Sequence, residues 1–288
     1  MRATLALVAL ILLACSAQQA AAQLGCSVSA AAMNFGTYTG TVLKPGATPI
    51  TVGCPILAAY TVGLSAGLGL GATTTTRKMT GPGSATLSYQ LFQNSALTTN
   101  WGNTVNTNTE AGTGTGFPQT LEIYPEAASG QNVPPGTYTD TITISVIDLL
   151  GTGTTTMSVT ATVQASCLAS ASALSFGTYS GLKIGMTSAI TVNCTDTTTF
   201  NIGLGAGTAT GATVTTRKMT GPSSHLLSYA LFRNSGYTLN WGNTVGTDTL
   251  ASTGTGVATM YTVYGQVAAA QYVTPGQYTD TVIATITY

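Results

Sequence analysis

Apolar residues alternate with hydroxyl-bearing ones along most of this chain. Ile50-Thr51-Val52 and the run from Tyr138 to Val146 show the alternation clearly. A period of two is what a half-buried β-strand requires. Thr, Val, Ile and Tyr favour extended backbone, and clusters of Gly, Pro and Asn interrupt the runs at short intervals. Beyond the N-terminal segment no stretch keeps a 3.6-residue period. The pattern predicts an all-β protein of many short strands.

The pattern also repeats, at an offset of 140 to 141 residues. Phe35-Gly36-Thr37-Tyr38 returns as Phe176-Gly177-Thr178-Tyr179, and Thr75 to Pro82 returns unchanged as Thr215 to Pro222. Asn100 to Val105 returns as Asn240 to Val245, and Tyr138 to Thr141 as Tyr278 to Thr281. Copy one runs from Cys26 to about Ile147, copy two from Cys167 to Tyr288. Two copies of one strand-rich unit predict two tandem immunoglobulin-like β-sandwich domains.

The copies differ in one respect. Gly151 to Ser166 follows copy one and has no counterpart after copy two. Within it Met157, Val159, Ala161 and Val163 alternate with Ser158, Thr160, Thr162 and Gln164, a strand with one apolar face. Gly151-Thr152-Gly153 reads as the turn leading into it. Residues 154–165 are therefore expected to be domain one's own final strand, with domain two one strand short. Only Ser166 separates the segment from Cys167, which argues against its folding back into domain two. A sandwich lacking an edge strand exposes an apolar groove and unpaired backbone. Each large apolar side chain that filled the groove would contribute about 1.5–3 kcal/mol.

Composition narrows the function. Of 288 residues, 8 are Lys or Arg and 8 are Asp or Glu, a formal net charge of zero. Nothing here forms the basic patch that nucleic-acid backbones need. Met1-Arg2 followed by the apolar run from Ala3 to Ala14 has signal-peptide length and is too short to span a bilayer. Cleavage is expected after Ala22, giving a signal peptide of 1–22, domain one over 23–165 and domain two over 166–288. A competing reading takes Leu12-Leu13-Ala14-Cys15 as a lipidation signal. Cys26, Cys54, Cys167 and Cys194 remain in the exported chain. Of their three possible pairings the repeat selects Cys26–Cys54 and Cys167–Cys194, each contributing roughly 3–4 kcal/mol. Zinc is disfavoured by the absence of C-x-x-C and by the single histidine.

Both copies carry Cys, Phe-Gly-x-Tyr, Cys, Arg-Lys-Met, Leu-Ser-Tyr-x-Leu-Phe-x-Asn, Trp-Gly-Asn and Pro-Gly-x-Tyr-Thr-Asp-Thr in that order. This series resembles the spore coat protein U domain family, which includes subunits of archaic chaperone–usher pili. The resemblance implies export through a periplasmic chaperone and an outer-membrane usher to the cell surface. It also implies an incomplete immunoglobulin-like fold finished by a strand from the next pilus subunit, the β-addition mode of recognition. After cleavage only Gln23-Leu24-Gly25 would precede Cys26. Such a chain accepts a strand without donating one, which places it at the pilus tip as the adhesin. The rival readings are a coat protein without a fibre and a secreted carbohydrate-binding module.

Domain one differs from domain two at several apolar positions. Ile56 and Leu57 stand where copy two has Asp196 and Thr197, Leu68 and Leu70 replace Thr208 and Thr210, and Phe117 replaces Val257. These five residues are candidates for contact with a surface or apolar ligand. The alternative is packing against neighbouring loops or the seam between domains. Trp101 and Trp241, Arg77 and Arg217, and Asp140 and Asp280 occur in both copies, which favours structural roles. No cofactor is implied. His225 faces Ala85 in the repeat, and no nucleophile–base pair or metal cluster stands out, so an enzyme is not expected. Glu110, Glu122 and Glu126 have no spacing that would pair them as glycosidase carboxylates.

Overall fold

A computed structural model describes residues 25–288. The expected signal peptide of 1–22, with Cys15, and residues 23 and 24 lie outside the described residues. Domain one contains β1 (Ser27–Ala30), β2 (Met33–Tyr38), β3 (Thr48–Gly53), β4 (Ala59–Leu64), β5 (Arg77–Thr80), β6 (Thr86–Phe92), β7 (Glu110–Thr113), β8 (Gln119–Glu126), β9 (Gly136–Asp148) and β10 (Gly151–Val163). Domain two contains β11 (Cys167–Ala171), β12 (Ile184–Cys194), β13 (Thr199–Leu204), β14 (Arg217–Thr220), β15 (Leu226–Phe232), β16 (Leu250–Thr253), β17 (Thr259–Val267) and β18 (Ala284–Thr287). The chain is all-β, with two sandwich domains.

In domain one the first layer has the order β1-β3-β8-β6-β5. The second layer places β7 on β4, β4 on β9, β9 on β10 and β10 on β2. The layers share one core, and among the described residues their strands pair at one position, Thr80 opposite Thr139. Alternation in β9 sends Tyr138, Ile142, Ile144 and Val146 into the core, the outcome that period two dictates.

β10 pairs antiparallel with β9 along its whole length, with Met157 opposite Ile142 and Ala161 opposite Tyr138. On its other edge it runs parallel to β2, with Val159 opposite Met33 and Val163 opposite Tyr38. Met157, Val159, Ala161 and Val163 are all buried. The turn into β10 is Leu149-Leu150, while Gly151, Thr152 and Gly153 already pair with β9. Asp148 makes the short connection possible. Its carboxylate accepts hydrogen bonds from the backbone N–H groups of Leu150 at 2.7 Å, Gly151 at 2.9 Å and Cys26. Those bonds hold its pKa below the ordinary carboxylate value, the Cys26 bond contributing most.

Domain two reproduces the first layer as β11-β12-β17-β15-β14, but its second layer is only β16-β13-β18. The segments matching β2 and the first half of β9, residues 174–179 and 276–283, have no regular strand. Among the described residues no strand lies between them. Side chains that are buried in domain one are accordingly half-exposed in domain two: Leu174, Phe176, Tyr278 and Val282 match Met33, Phe35, Tyr138 and Ile142.

Cys26 is bonded to Cys54 and Cys167 to Cys194, tying β1 to β3 and β11 to β12 at the same end of each sandwich.

Candidate functional site

The first site is the groove in domain two. It has a volume of about 410 Å³ and is floored by Phe176, Leu204, Tyr229, Leu231 and Val263, with Tyr278 and Val282 along one wall. It occupies the place that β10 fills in domain one. An extended chain laid there meets apolar side chains below and unpaired backbone on both edges, which is what an added strand needs.

Buried polar groups keep the groove's frame in shape. Arg217 is fully buried. It donates through Nε to Gly205 O at 2.7 Å, through Nη1 to Val214 O at 2.7 Å, and through Nη2 to Leu204 O at 2.8 Å and Trp241 O at 2.7 Å. Asp280 accepts from Tyr229 Oη at 2.8 Å and from Thr208 N at 2.8 Å. Residues around Asp280 thus stay anchored to the floor without a neighbouring strand. Domain one repeats the device with Arg77 and with Asp140, which accepts from Tyr89 Oη at 2.7 Å and Leu68 N at 2.7 Å. Burial lowers the Arg77 pKa to about 10, with the nearby Asp140 carboxylate acting in the opposite direction. Burial, reinforced by the aspartate beside each, raises the pKa of Tyr89 and Tyr229.

The second site is the disulfide-bearing end of domain one. Three loops meet there: 54–58 between β3 and β4, 114–118 between β7 and β8, and Leu149-Leu150 between β9 and β10. Leu57 N donates to Gly114 O at 2.8 Å, and Gly116 N to Cys54 O at 3.2 Å. A side chain at Gly114 would overlap the Pro55 carbonyl, so the first two loops pack backbone to backbone. Their apolar side chains point outward: Ile56 is 72 % exposed, Leu57 81 %, Phe117 75 % and Leu149 99 %. Leu57 has a φ of 65°, a conformation costing about 1–2 kcal/mol for a residue with a Cβ. Burial does not offset that cost, so the fold does not account for a leucine here.

Leu68 and Leu70 are also exposed, but the structure does not bring them to this end. Leu68 is bonded to Asp140, eight residues along β9 from Asp148, or roughly 27 Å at the rise of an antiparallel strand. Leu149 and Leu150 do belong to the cluster and were missed in the sequence. The available signal was two adjacent leucines between Asp148 and Gly151.

The remaining conspicuous residues have internal partners. Trp101 is 1 % exposed and donates Nε1–H to Val62 O at 2.9 Å; Trp241 does the same to Ile202 O at 2.8 Å. Neither offers a face to a sugar. Glu126 pairs with Lys44 at 2.9 Å. Among the described residues no group of three His, Cys, Asp or Glu is placed to hold a metal.

Fold and surfaces together define a two-domain sandwich protein in which one domain contains its final strand and the other has an open groove in its place. The spore coat protein U domain family matches residues 12–145 and 153–285, and the chain belongs to that family. It is 36% identical over 154 residues to Protein U of Myxococcus xanthus, covering 48% of this chain and 86% of that protein. Its fold is similar to a chain in the crystal structure of the CsuC–CsuE chaperone–tip adhesion subunit pre-assembly complex of archaic chaperone–usher Csu pili from Acinetobacter baumannii. The TM-score is 0.53 and the identity 16%, over 92% of this chain and 100% of that one.

Proposed function

We propose that this protein is an exported, non-enzymatic subunit of a chaperone–usher surface pilus, occupying the tip. Domain two's groove takes a strand first from a periplasmic chaperone and then from the next subunit at an outer-membrane usher. Domain one is the adhesive domain. The observation that carries the reading is the contrast between the two grooves: β10 fills one, and the other is open. A tip role is supported by domain one needing no strand from a neighbour and by the apolar loops at its far end.

The test is to extend the full chain after Tyr288 with a copy of residues 149–165. Tyr288 corresponds to Asp148, so the added segment enters in the register of β10. Domain two should melt at a higher temperature, and self-association through the groove should fall. An unchanged domain-two transition would refute strand addition. For adhesion, the triple substitution Ile56→Ser, Leu57→Ser and Phe117→Ser should reduce retention on an apolar surface without lowering the melting temperature. Retention equal to the parent would refute the adhesive role of these loops.

The family also supports a second reading, a coat protein without a fibre. The protein would then self-assemble at the surface without an usher.

A further inference from the structure

The seam between the two domains repeats on the far side of domain two. At the seam, loop 128–134 of domain one meets loop 254–258 of domain two. Asn132 Nδ2 donates to Thr255 O at 2.9 Å, and Gly256 comes so near that a Cβ there would overlap Asn132. The linker joins in: Ser166 N donates to Thr195 Oγ1 at 2.9 Å, and Thr195 N to Ser166 O at 2.9 Å. A cleft of about 240 Å³ remains between the domains, lined by Tyr38, Asn132, Leu168, Thr195 and Gly256 among others. The disulfide-bearing end of domain two is therefore docked against the opposite end of domain one.

Domain two possesses that same opposite end. In domain one, Tyr38 Oη donates to Ala128 O at 2.8 Å and accepts from Gln131 N at 2.9 Å, while Gln131 Nε2 donates to Ser88 O at 2.8 Å. In domain two, Tyr179 Oη donates to Ala268 O at 2.8 Å and accepts from Gln271 N at 2.9 Å, while Gln271 Nε2 donates to Ser228 O at 2.8 Å. The residue after the glutamine is Asn132 in the first case and Tyr272 in the second. Identical scaffolding presents both side chains the same way, and Tyr272 is 94 % exposed.

We propose that Tyr272 and the loop around it dock the disulfide-bearing end of the following subunit, as Asn132 docks that end of domain two. The inference rests on the strand-accepting reading of domain two, because the added strand delivers the partner to this place. It goes further in naming a second, side-chain contact beside the groove. Repetition of one head-to-tail interface along an axis is how open assemblies propagate. The phenol is larger than the asparagine it replaces and suits a cleft like the one between the domains. An aromatic ring in such a position supplies large contact area at a joint.

The full chain, extended after Tyr288 with its own residues 149–288, tests the joint. This repeats the natural junction once more and buries one copy of the 268–274 loop. Tyr272→Cys is placed either in the inner copy or in the terminal copy, and its rate of reaction with a bulky maleimide is measured in the oxidised protein. The inner site should react about fivefold or more slowly than the terminal one. Equal rates, with the inner domain two stabilised by its added strand, would overturn the joint and leave the strand reading standing. If the inner domain two gains no stability, strand addition fails and the joint falls with it.

Discussion

Truncation of Met157 tests which domain owns β10. Met157 is 1 % exposed and lies opposite Ile142 in the β9–β10 pair. Cutting it to alanine removes the thioether arm from a closed core and leaves a cavity. Met→Ala in such a place costs roughly 2–5 kcal/mol. A domain of this size shifts by about 2–4 °C per kcal/mol, so domain one's transition should fall by about 4–20 °C. Each domain holds one of the two tryptophans, which makes fluorescence domain-specific. Trp241→Phe leaves Trp101 reporting domain one, and Trp101→Phe leaves Trp241 reporting domain two. Met157→Ala in each background, compared with that background alone, should lower only the Trp101 transition. A fall at Trp241 alone would mean that residues 151–163 fill domain two's groove instead. No fall at either would mean that the strand is not part of a core.

Two further outcomes follow from the buried polar groups. Arg77→Lys should destabilise domain one by about 3–5 kcal/mol, because a single ammonium cannot span carbonyls that the guanidinium reaches from three nitrogens; urea melting should show domain two unaffected. For pH, Tyr89 is held neutral in the fold above its ordinary value of 10.0 by burial and Asp140. Below pH 10.0 its contribution is complete, and above it the unfolded tyrosine ionises while the folded one does not, so stability falls as pH rises. Arg77, lowered by burial, acts in the opposite sense over part of that range, so the comparison is the slope of domain one's melting temperature in Tyr89→Phe against the parent. A slope as steep in the variant would remove Tyr89 from the account.

Much of the fold was legible because its signals are local or periodic. The alternation in Tyr138 to Val146 identifies a strand without knowledge of its neighbours, and the repeated motifs identify two copies of one domain. What a strand pairs with is not local. β10's parallel edge against β2 joins residues more than a hundred positions apart, and no pattern within either segment encodes the direction. The same limit governs the apolar loops. Ile56, Phe117 and Leu70 look alike as exposed apolar substitutions, but only strand direction decides which end of the sandwich each reaches. Leu149 and Leu150 were hidden for another reason. Two adjacent leucines read as the continuation of a strand, and it is Asp148, accepting three backbone N–H groups, that turns the chain there.

The two copies also show how one end of a sandwich changes with what it meets. In domain two the disulfide-bearing end abuts domain one, and its loops are more polar, though Val257 stays exposed there: Thr195 bonds Ser166, and the Thr255 carbonyl accepts from Asn132. In domain one the same end meets no other domain among the described residues, and there Ile56, Leu57 and Phe117 are exposed. Solvation alone would arrange these the other way, with hydroxyls toward water and apolar groups at the seam. Leu57 sharpens the point, because the matching Thr197 has the same left-handed backbone at φ 59° without presenting an apolar side chain. The turn is inherited by both copies and the leucine by one. Apolar side chains gathered from three loops at the end farthest from domain two are the surface that the proposed adhesive role would use, since a partner that removed them from water would recover their solvation cost. That is the physical case for adhesion at this end, and it is independent of how domain two is assembled.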